Sequence, residues 1–479
     1  TVSPTVMPTS QPTRRQTALA PALPNPTRSP TTRLPTPSPT ETPTLRPTAA
    51  PTARLITVAP TKAPVSPTQR PSSFLDSPPL TALGVALSGS QPDQRFGQAI
   101  SLSSDGKVIA VGAPSAAIGL LNTRNQAGMV QVFEWTDDSG GFWRPRGFPL
   151  VGRNEGDQFG SAVALSSDGS ILVVSEPMYD GPAGDRSGNV RAFVYTVNAN
   201  APGGGEYRNL GQEMYGSAAS DHFGLSLSIS ADGRRLAVGA PYHDNGGANR
   251  NVSGQVMVFD YLPTANPGGT WTPIATMAGI DHLDWFGWKV DLADDGKFLC
   301  VGAPRNLAFG GYVQCHDLTT NRVMGDAIRN RVEPLRYDDN FGHSIKVKKA
   351  NDNSIWVAIG APGKNNRALD SGMAIVYKYD AAGDEWSILG QPIFADTPRA
   401  QDELGFAIDL YDDILVLGSP GRATVDRYVL QGDDASSALW ERHPAPLTGG
   451  ADSSFGYAVN QRGDRLAVGS AETGGENTG

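Results

Sequence analysis

The sequence predicts an all-β protein of repeated units, and three observations carry that class. Seven related stretches open on a Phe-Gly step or, in one, its Leu-Gly equivalent: Phe96-Gly97, Phe159-Gly160, Phe223-Gly224, Phe286-Gly287, Phe341-Gly342, Leu404-Gly405 and Phe455-Gly456. After each opening an alternating run is followed by a run that is apolar throughout, as in FGLSLSISADGRRLAVGAP from Phe223 to Pro241. The unit recurs about every 60 residues, and self-similarity at such a period marks a repeat architecture. Four antiparallel strands per unit, repeated radially, form a propeller blade. The expectation is therefore a seven-bladed β-propeller of four-stranded antiparallel blades, preceded by a disordered segment.

Within a unit each strand has its own signal. The first alternates, with Leu227/Ile229, Val290/Leu292 and Ile408/Leu410 among its apolar positions. Period two describes a strand with one strongly apolar face. The second, such as Val108–Val111 or Ile171–Val174, is a short, wholly apolar run, as expected of a strand buried on both sides. Asp-Gly at 105–106, 168–169, 232–233 and 295–296 joins the two, because both residues tolerate positive φ. Proline cannot donate to a ladder, so Gly-Ala-Pro ends the second strand. A third strand follows a variable loop, as at Gly254-Gln-Val-Met-Val-Phe259. A fourth carries an aromatic, among them Trp143, Tyr207, Trp271, Trp386 and Trp440.

These Phe-Gly…Gly-Ala-Pro units resemble the FG-GAP repeats of integrin α-subunit propellers over about residues 80–479. The resemblance implies a ring closed by N-terminal sequence and calcium held in several first hairpins by a D-x-[DN]-x-[DN]-G loop. This chain departs from that loop. Its hairpins read Ser103-Ser104-Asp105-Gly106, Ser166-Ser167-Asp168-Gly169 and Ser230-Ala231-Asp232-Gly233, with one carboxylate each. Calcium takes six to eight oxygens, so no metal site is carried over and these aspartates read as turn formers.

Residues 1–75 form the first region, a Pro/Thr/Ser-rich stalk with nothing to build a core; residues 76–479 are the propeller, its seventh blade incomplete at the C-terminus. Leu83–Leu87 reads as a fourth strand with no blade before it, able to complete the last blade and close the ring. The stalk resembles those of algal, especially diatom, surface proteins. It is basic, while the whole chain carries a formal charge of −9. The chain begins at Thr1 with neither Met nor a signal peptide, which reads as an excised piece. No apolar run is long enough to span a bilayer, and nothing points to nucleic acid.

An aspartate precedes each Phe-Gly: Asp157, Asp221, Asp284, Asp339 and Asp402 two residues ahead, Asp93 and Asp452 three ahead. Such a residue can accept backbone N–H bonds and fix the loop, or the set can ring one mouth of the channel and hold a cation. Six histidines are scattered, at 222, 243, 282, 316, 343 and 443, and neither HExxH nor G-x-S-x-G occurs. No catalytic residue, metal or cofactor is expected. Polar and aromatic residues on two neighbouring units, Tyr242, His243, Asp244, Asn245, His282, Asp284, Trp285 and Trp288, form the candidate ligand site. Asn251 begins the one N-glycosylation sequon. Arg462-Gly463-Asp464 spells an integrin-ligand tripeptide where a hairpin turn is expected. Cys300 and Cys315 fall on consecutive strands; a symmetric hairpin opposes them, and one residue of slip separates them.

Strand direction alternates, so the long variable loops share one face of the ring and the short turns the other. The expectation is an extracellular or cell-surface adhesion or recognition module, the cell wall included, without catalysis. It would bind protein or glycan through the long-loop face. The alternatives are an accessory propeller of an enzyme acting on surface glycans or lipids, or a structural cell-wall protein.

Overall fold

The computed structural model describes residues 54–59, 80–91, 93–119, 124–246, 252–264, 268–308, 310–432, 437–450 and 453–471. Six four-stranded antiparallel blades follow one plan, each with its strands in sequence order. In blade 1 these are Ala99–Leu102, Val108–Ala113, Met129–Thr136 and Phe142–Pro145. The innermost strands of blades 2 to 6 are Val163–Leu165, Ser226–Ile229, Lys289–Leu292, Ser344–Lys349 and Ala407–Tyr411. The second strands are buried along most of their length, as a run apolar on both sides requires.

The expected count of seven such blades is corrected to six complete ones. The seventh unit supplies only the hairpin Phe455–Arg462 and Arg465–Ser470. Its third position is taken by Arg54–Ala59, which pairs antiparallel with the second strand from Arg54↔Ser470 to Val58↔Leu466. That strand, RLITVA, lies inside the stretch read as a disordered stalk and is the proline-free, β-prone part of it. Leu83–Leu87 is not one strand either. Thr81–Ala82 and Leu87–Ser88 each pair with Arg54–Ala59, and Gly84, at φ 70°, turns the chain between them. The rest of residues 1–75 lies outside the described residues.

The Asp-Gly turns are built as read. Asp105 Oδ1 accepts Ser103 Oγ at 2.6 Å and the Lys107 N–H at 2.9 Å. Asp168 and Asp232 repeat the arrangement. Gly463 turns the Arg462-Gly463-Asp464 hairpin at φ 55°.

Three kinds of contact join neighbouring blades. The Phe-Gly phenylalanines, fully buried in blades 1 to 5, wedge between neighbours. Phe223 sits among Val173, Val190 and Met214 of one blade and Leu236 and Val238 of the next. Beside the wedge two backbones touch. A Cβ on Gly239 would lie 2.0 Å from the Gly287 carbonyl oxygen; Gly112–Gly160, Gly302–Gly342, Gly360–Gly405 and Gly418–Gly456 repeat the approach. Side chains also take backbone N–H groups from the next innermost strand: Ser101 from Leu165, Ser228 from Leu292, Asp291 from Val347 and Asp409 from Gln461. The last hairpin meets blade 1 in the same way, through Gly469 against Gly97 and Asn460 Oδ1 accepting the Leu102 N–H at 2.8 Å. Among the described residues no helix is long and apolar enough to cross a membrane.

Candidate functional site

The Phe-Gly steps and the ends of the second strands lie on one face, with the long loops. The aspartates two residues ahead of each step are buried there. Asp221 Oδ2 accepts the Ser217 and Ala218 N–H groups at 3.0 and 2.8 Å. Asp284 Oδ2 accepts those of Ile280 and Asp281, at 2.9 and 2.7 Å, and the Tyr312 hydroxyl, while Oδ1 takes the Asn306 amide. Asp402 accepts the Arg399 N–H at 2.7 Å, and Asp339 takes Lys364 Nζ at 3.0 Å. Each oxygen so used fixes a loop, in the manner of an Asx turn. Burial raises the carboxyls of Asp157, Asp284 and Asp339 above the usual carboxylate range. Asp452 lies outside the described residues.

The residue between this aspartate and the phenylalanine is left-handed in six units, though none is glycine: Arg95, Gln158, His222, Trp285, Asn340 and Glu403, at φ 51–58°. Side chains held there carry a conformational cost that glycine would avoid. The residue after each Phe-Gly, namely Gln98, Ser161, Leu225, Trp288, His343, Phe406 and Tyr457, lines the central channel.

The two sets meet in a run of aromatic contacts. His222 packs on Tyr242 at 4.8 Å between ring centres, Tyr242 on Trp285 at 5.2 Å, and Trp285 stacks on Trp288 at 5.3 Å. Trp288 reaches His343 at 5.8 Å, His343 meets Phe406 at 4.7 Å, and Phe406 meets Tyr457 at 4.9 Å. The Arg305 guanidinium caps Trp285, 4.9 Å from a ring centre. Trp288, His343, Phe406 and Tyr457 of this arc line one side of a cavity of about 500 Å³ in the channel; Gln98, Gln158 and Ser161 line it elsewhere. Burial lowers the His343 pKa to about 4, so its ring is neutral at physiological pH.

Of the candidates read from sequence, Tyr242, Trp285 and Trp288 join this arc. His243 holds the Asp221 carboxylate at 2.9 Å through Nδ1. Asn245 donates to Ser253 Oγ and the Gly254 carbonyl, and Asp244 accepts the Gly246 N–H. Asp284 is committed to its loop, and His282 stands exposed outside the arc. Asn251 lies outside the described residues. Cys300 and Cys315 are directly opposed in register and disulfide-bonded. Sequence reading passes over Phe406, Tyr457 and the channel-lining Lys289, and treats His343 as one scattered histidine. The signal was available: it lies in the residues beside Phe-Gly that do not repeat.

At the opposite end of the channel charges are paired. Lys346 meets Asp291 at 3.2 Å and Arg462 meets Asp409 at 3.4 Å.

A rigid ring presenting variable side chains around an open cavity defines a ligand-binding propeller module. The FG-GAP repeat family matches residues 216–259; with the arrangement of blades, this makes the chain an FG-GAP β-propeller protein. No curated protein matches it. Among solved structures it is similar to a putative 6-phosphogluconolactonase from Bacteroides uniformis, at 9% identity and a TM-score of 0.52, over 83% of this chain and 97% of that one. It is also similar to the periplasmic gluconolactonase of Pseudomonas aeruginosa, at 12% identity and a TM-score of 0.47, over 84% and 97%. Saccharomyces cerevisiae Sqt1 is similar at 11% identity and a TM-score of 0.44, over 78% and 80%. At such identities the likeness concerns the fold alone.

Proposed function

We propose that this propeller is a surface recognition module that binds glycan or protein ligands at the aromatic mouth of its channel, without catalysis. The observation that carries the reading is the arc from Tyr242 through Trp285, Trp288, His343 and Phe406 to Tyr457. The arc's cavity-lining rings, Trp288, His343, Phe406 and Tyr457, suit contact with sugar rings or apolar side chains, and Tyr242 and Trp285 back them. The left-handed backbone of His222 and Trp285, two members of the arc, supports it, since strained backbone persists where a side chain is needed. The five aspartates two residues ahead of a repeat opening, Asp157, Asp221, Asp284, Asp339 and Asp402, are tied into their loops, which favours binding over acid–base chemistry. An extracellular or cell-surface setting, the cell wall included, fits the Cys300–Cys315 disulfide, because such bonds persist in oxidising compartments. The integrin-like resemblance of the repeats agrees with an adhesion role.

The test is a glycan and protein array probed with the full chain and with Trp288→Ala and Phe406→Ala. Binding that both substitutions weaken at least tenfold, with unchanged melting, is expected. Ligands that bind the parent and both variants equally would place recognition elsewhere and overturn the reading.

A further inference from the structure

The second residue after Phe-Gly also lines the channel cavity in every unit. It is Ala99, Ala162, Ser226, Ser344, Ala407 or Ala458 in six of them, and Lys289 in the other. Small residues suit a position crowded around the ring axis. One lysine among them places a single long cation in the channel, beside Trp288.

The charges around it are already matched. Asp291 holds Lys346 and also accepts the Val347 N–H at 2.7 Å and Ser228 Oγ. Asp409 holds Arg462 and accepts the Asn460 amide and the Gln461 N–H. Lys289 Nζ has no hydrogen bond or ion pair with any described residue, yet it lines both this cavity and the smaller one towards the paired charges. Burial lowers the Lys289 pKa against the pull of the Asp291 and Asp409 carboxylates. An amine without a bonded partner beside two complete pairs is what an incoming anion would find and would hold in its charged form.

The remaining lining decides the kind of ligand. On one side stand Trp288, His343, Phe406 and Tyr457; elsewhere are the amides of Gln98 and Gln158 and the hydroxyl of Ser161. Flat apolar faces opposed to hydrogen-bonding groups match a pyranose ring, apolar on its C–H face and hydroxylated at its edge. Resting on the mouth being the recognition site, we propose that the channel receives an acidic saccharide, one ring against Trp288 and its carboxylate or sulfate on Lys289 Nζ.

The test is calorimetric titration of the full chain with four probes: a uronic-acid oligosaccharide, its carboxyl-reduced neutral counterpart, a sulfated oligosaccharide and a Glu-rich peptide. At least one acidic saccharide should bind ten times or more tighter than the neutral one, and which one does so separates carboxylate from sulfate. Lys289→Ser, which installs the residue of two other units, should bring acidic and neutral sugars within about twofold at unchanged melting temperature. Lys289→Arg should keep the preference. Trp288→Ala should weaken every saccharide. Equal binding of acidic and neutral sugars by the parent, or an unchanged preference in Lys289→Ser, overturns the inference while leaving the aromatic mouth in place. Binding of the Glu-rich peptide with no saccharide bound overturns the saccharide assignment. Saccharide binding insensitive to Trp288→Ala overturns the recognition site itself.

Discussion

Gly239→Ala tests whether the blades are held at contact distance by their backbones. The new methyl group would sit 2.0 Å from the Gly287 carbonyl oxygen and 2.5 Å from Ser226 Oγ. Ordinary carbon–oxygen contacts are no shorter than about 3.2 Å, so the two strands would have to part by more than ~1 Å. Neither can move cheaply. The Gly287 N–H bonds the Gly302 carbonyl at 3.1 Å, and its carbonyl accepts Ser226 Oγ at 2.8 Å. The strand holding Gly239 is registered at every residue from Arg235 to Ala240 against its neighbour. Overpacking of a core costs about 1–3 kcal/mol, and with backbone as the neighbour the upper end applies, ~3 kcal/mol. At roughly 2–4 °C per kcal/mol, a figure for smaller domains, melting should fall by about 6–12 °C. Blade 2 supplies the control, since Ser175 occupies the corresponding place against Gly224. Ser175→Gly introduces no clash and gives up the Ser175 Oγ bond to the Ala162 N–H, so it should lose about 1–2 kcal/mol, less than Gly239→Ala. The measurement is thermal and denaturant unfolding of all three proteins. An unchanged midpoint for Gly239→Ala, or equal losses from both substitutions, would refute the contact argument.

Two further outcomes follow from the same packing. A chain beginning at Ala50 should melt like the full chain, whereas one beginning at Leu80 loses the Arg54–Ala59 pairing; at ~0.5–1.5 kcal/mol per hydrogen bond this amounts to a few kcal/mol. Equal melting of both would show that the strand adds nothing. The second concerns His316, buried between Leu299 and Val323, whose pKa burial lowers to about 4. The unfolded ring protonates near 6.5, so the stability it contributes is complete above that pH and lost as pH falls towards 4, up to ~3 kcal/mol. His316→Leu should flatten this acid limb in urea unfolding at pH 7, 5.5 and 4.5, and an unaltered slope would exclude the histidine as its source.

Much of the ring was legible because backbone geometry demands particular residues. Phe-Gly and Gly-Ala-Pro repeat since a wedge and two touching backbones recur at most interfaces, with Ser175 in the glycine's place in blade 2, and nothing larger than glycine fits Gly239 against Gly287. The aspartates read as loop fasteners, and Asp221 and Asp284 do fasten loops. Arg54–Ala59 was not legible, because its pairing partner lies at the far end of the chain and its flanks carry the composition of a stalk. The site was half legible. Trp285 and Trp288 flank one Phe-Gly step and Tyr242 follows the Gly-Ala-Pro of the unit before, so a reading of two neighbouring units finds them. Phe406 and Tyr457 come from different units, and only folding into a ring makes them neighbours of Trp288; Lys289 follows Trp288 directly, but its place in the channel shows only once the ring is formed.

The seam between Asn460 and Leu102 joins residues 358 positions apart. Until that stretch leaves the ribosome, the growing chain can stack blades side by side but cannot circularise. The first blade keeps one flank uncovered throughout, and so does whichever blade was made last. Exposed strand edges and apolar flanks of that kind invite association between nascent chains. Slow synthesis or truncation before Ser470 would therefore be expected to yield aggregates rather than a smaller functional ring, which makes the final hairpin the step that commits the molecule to solubility.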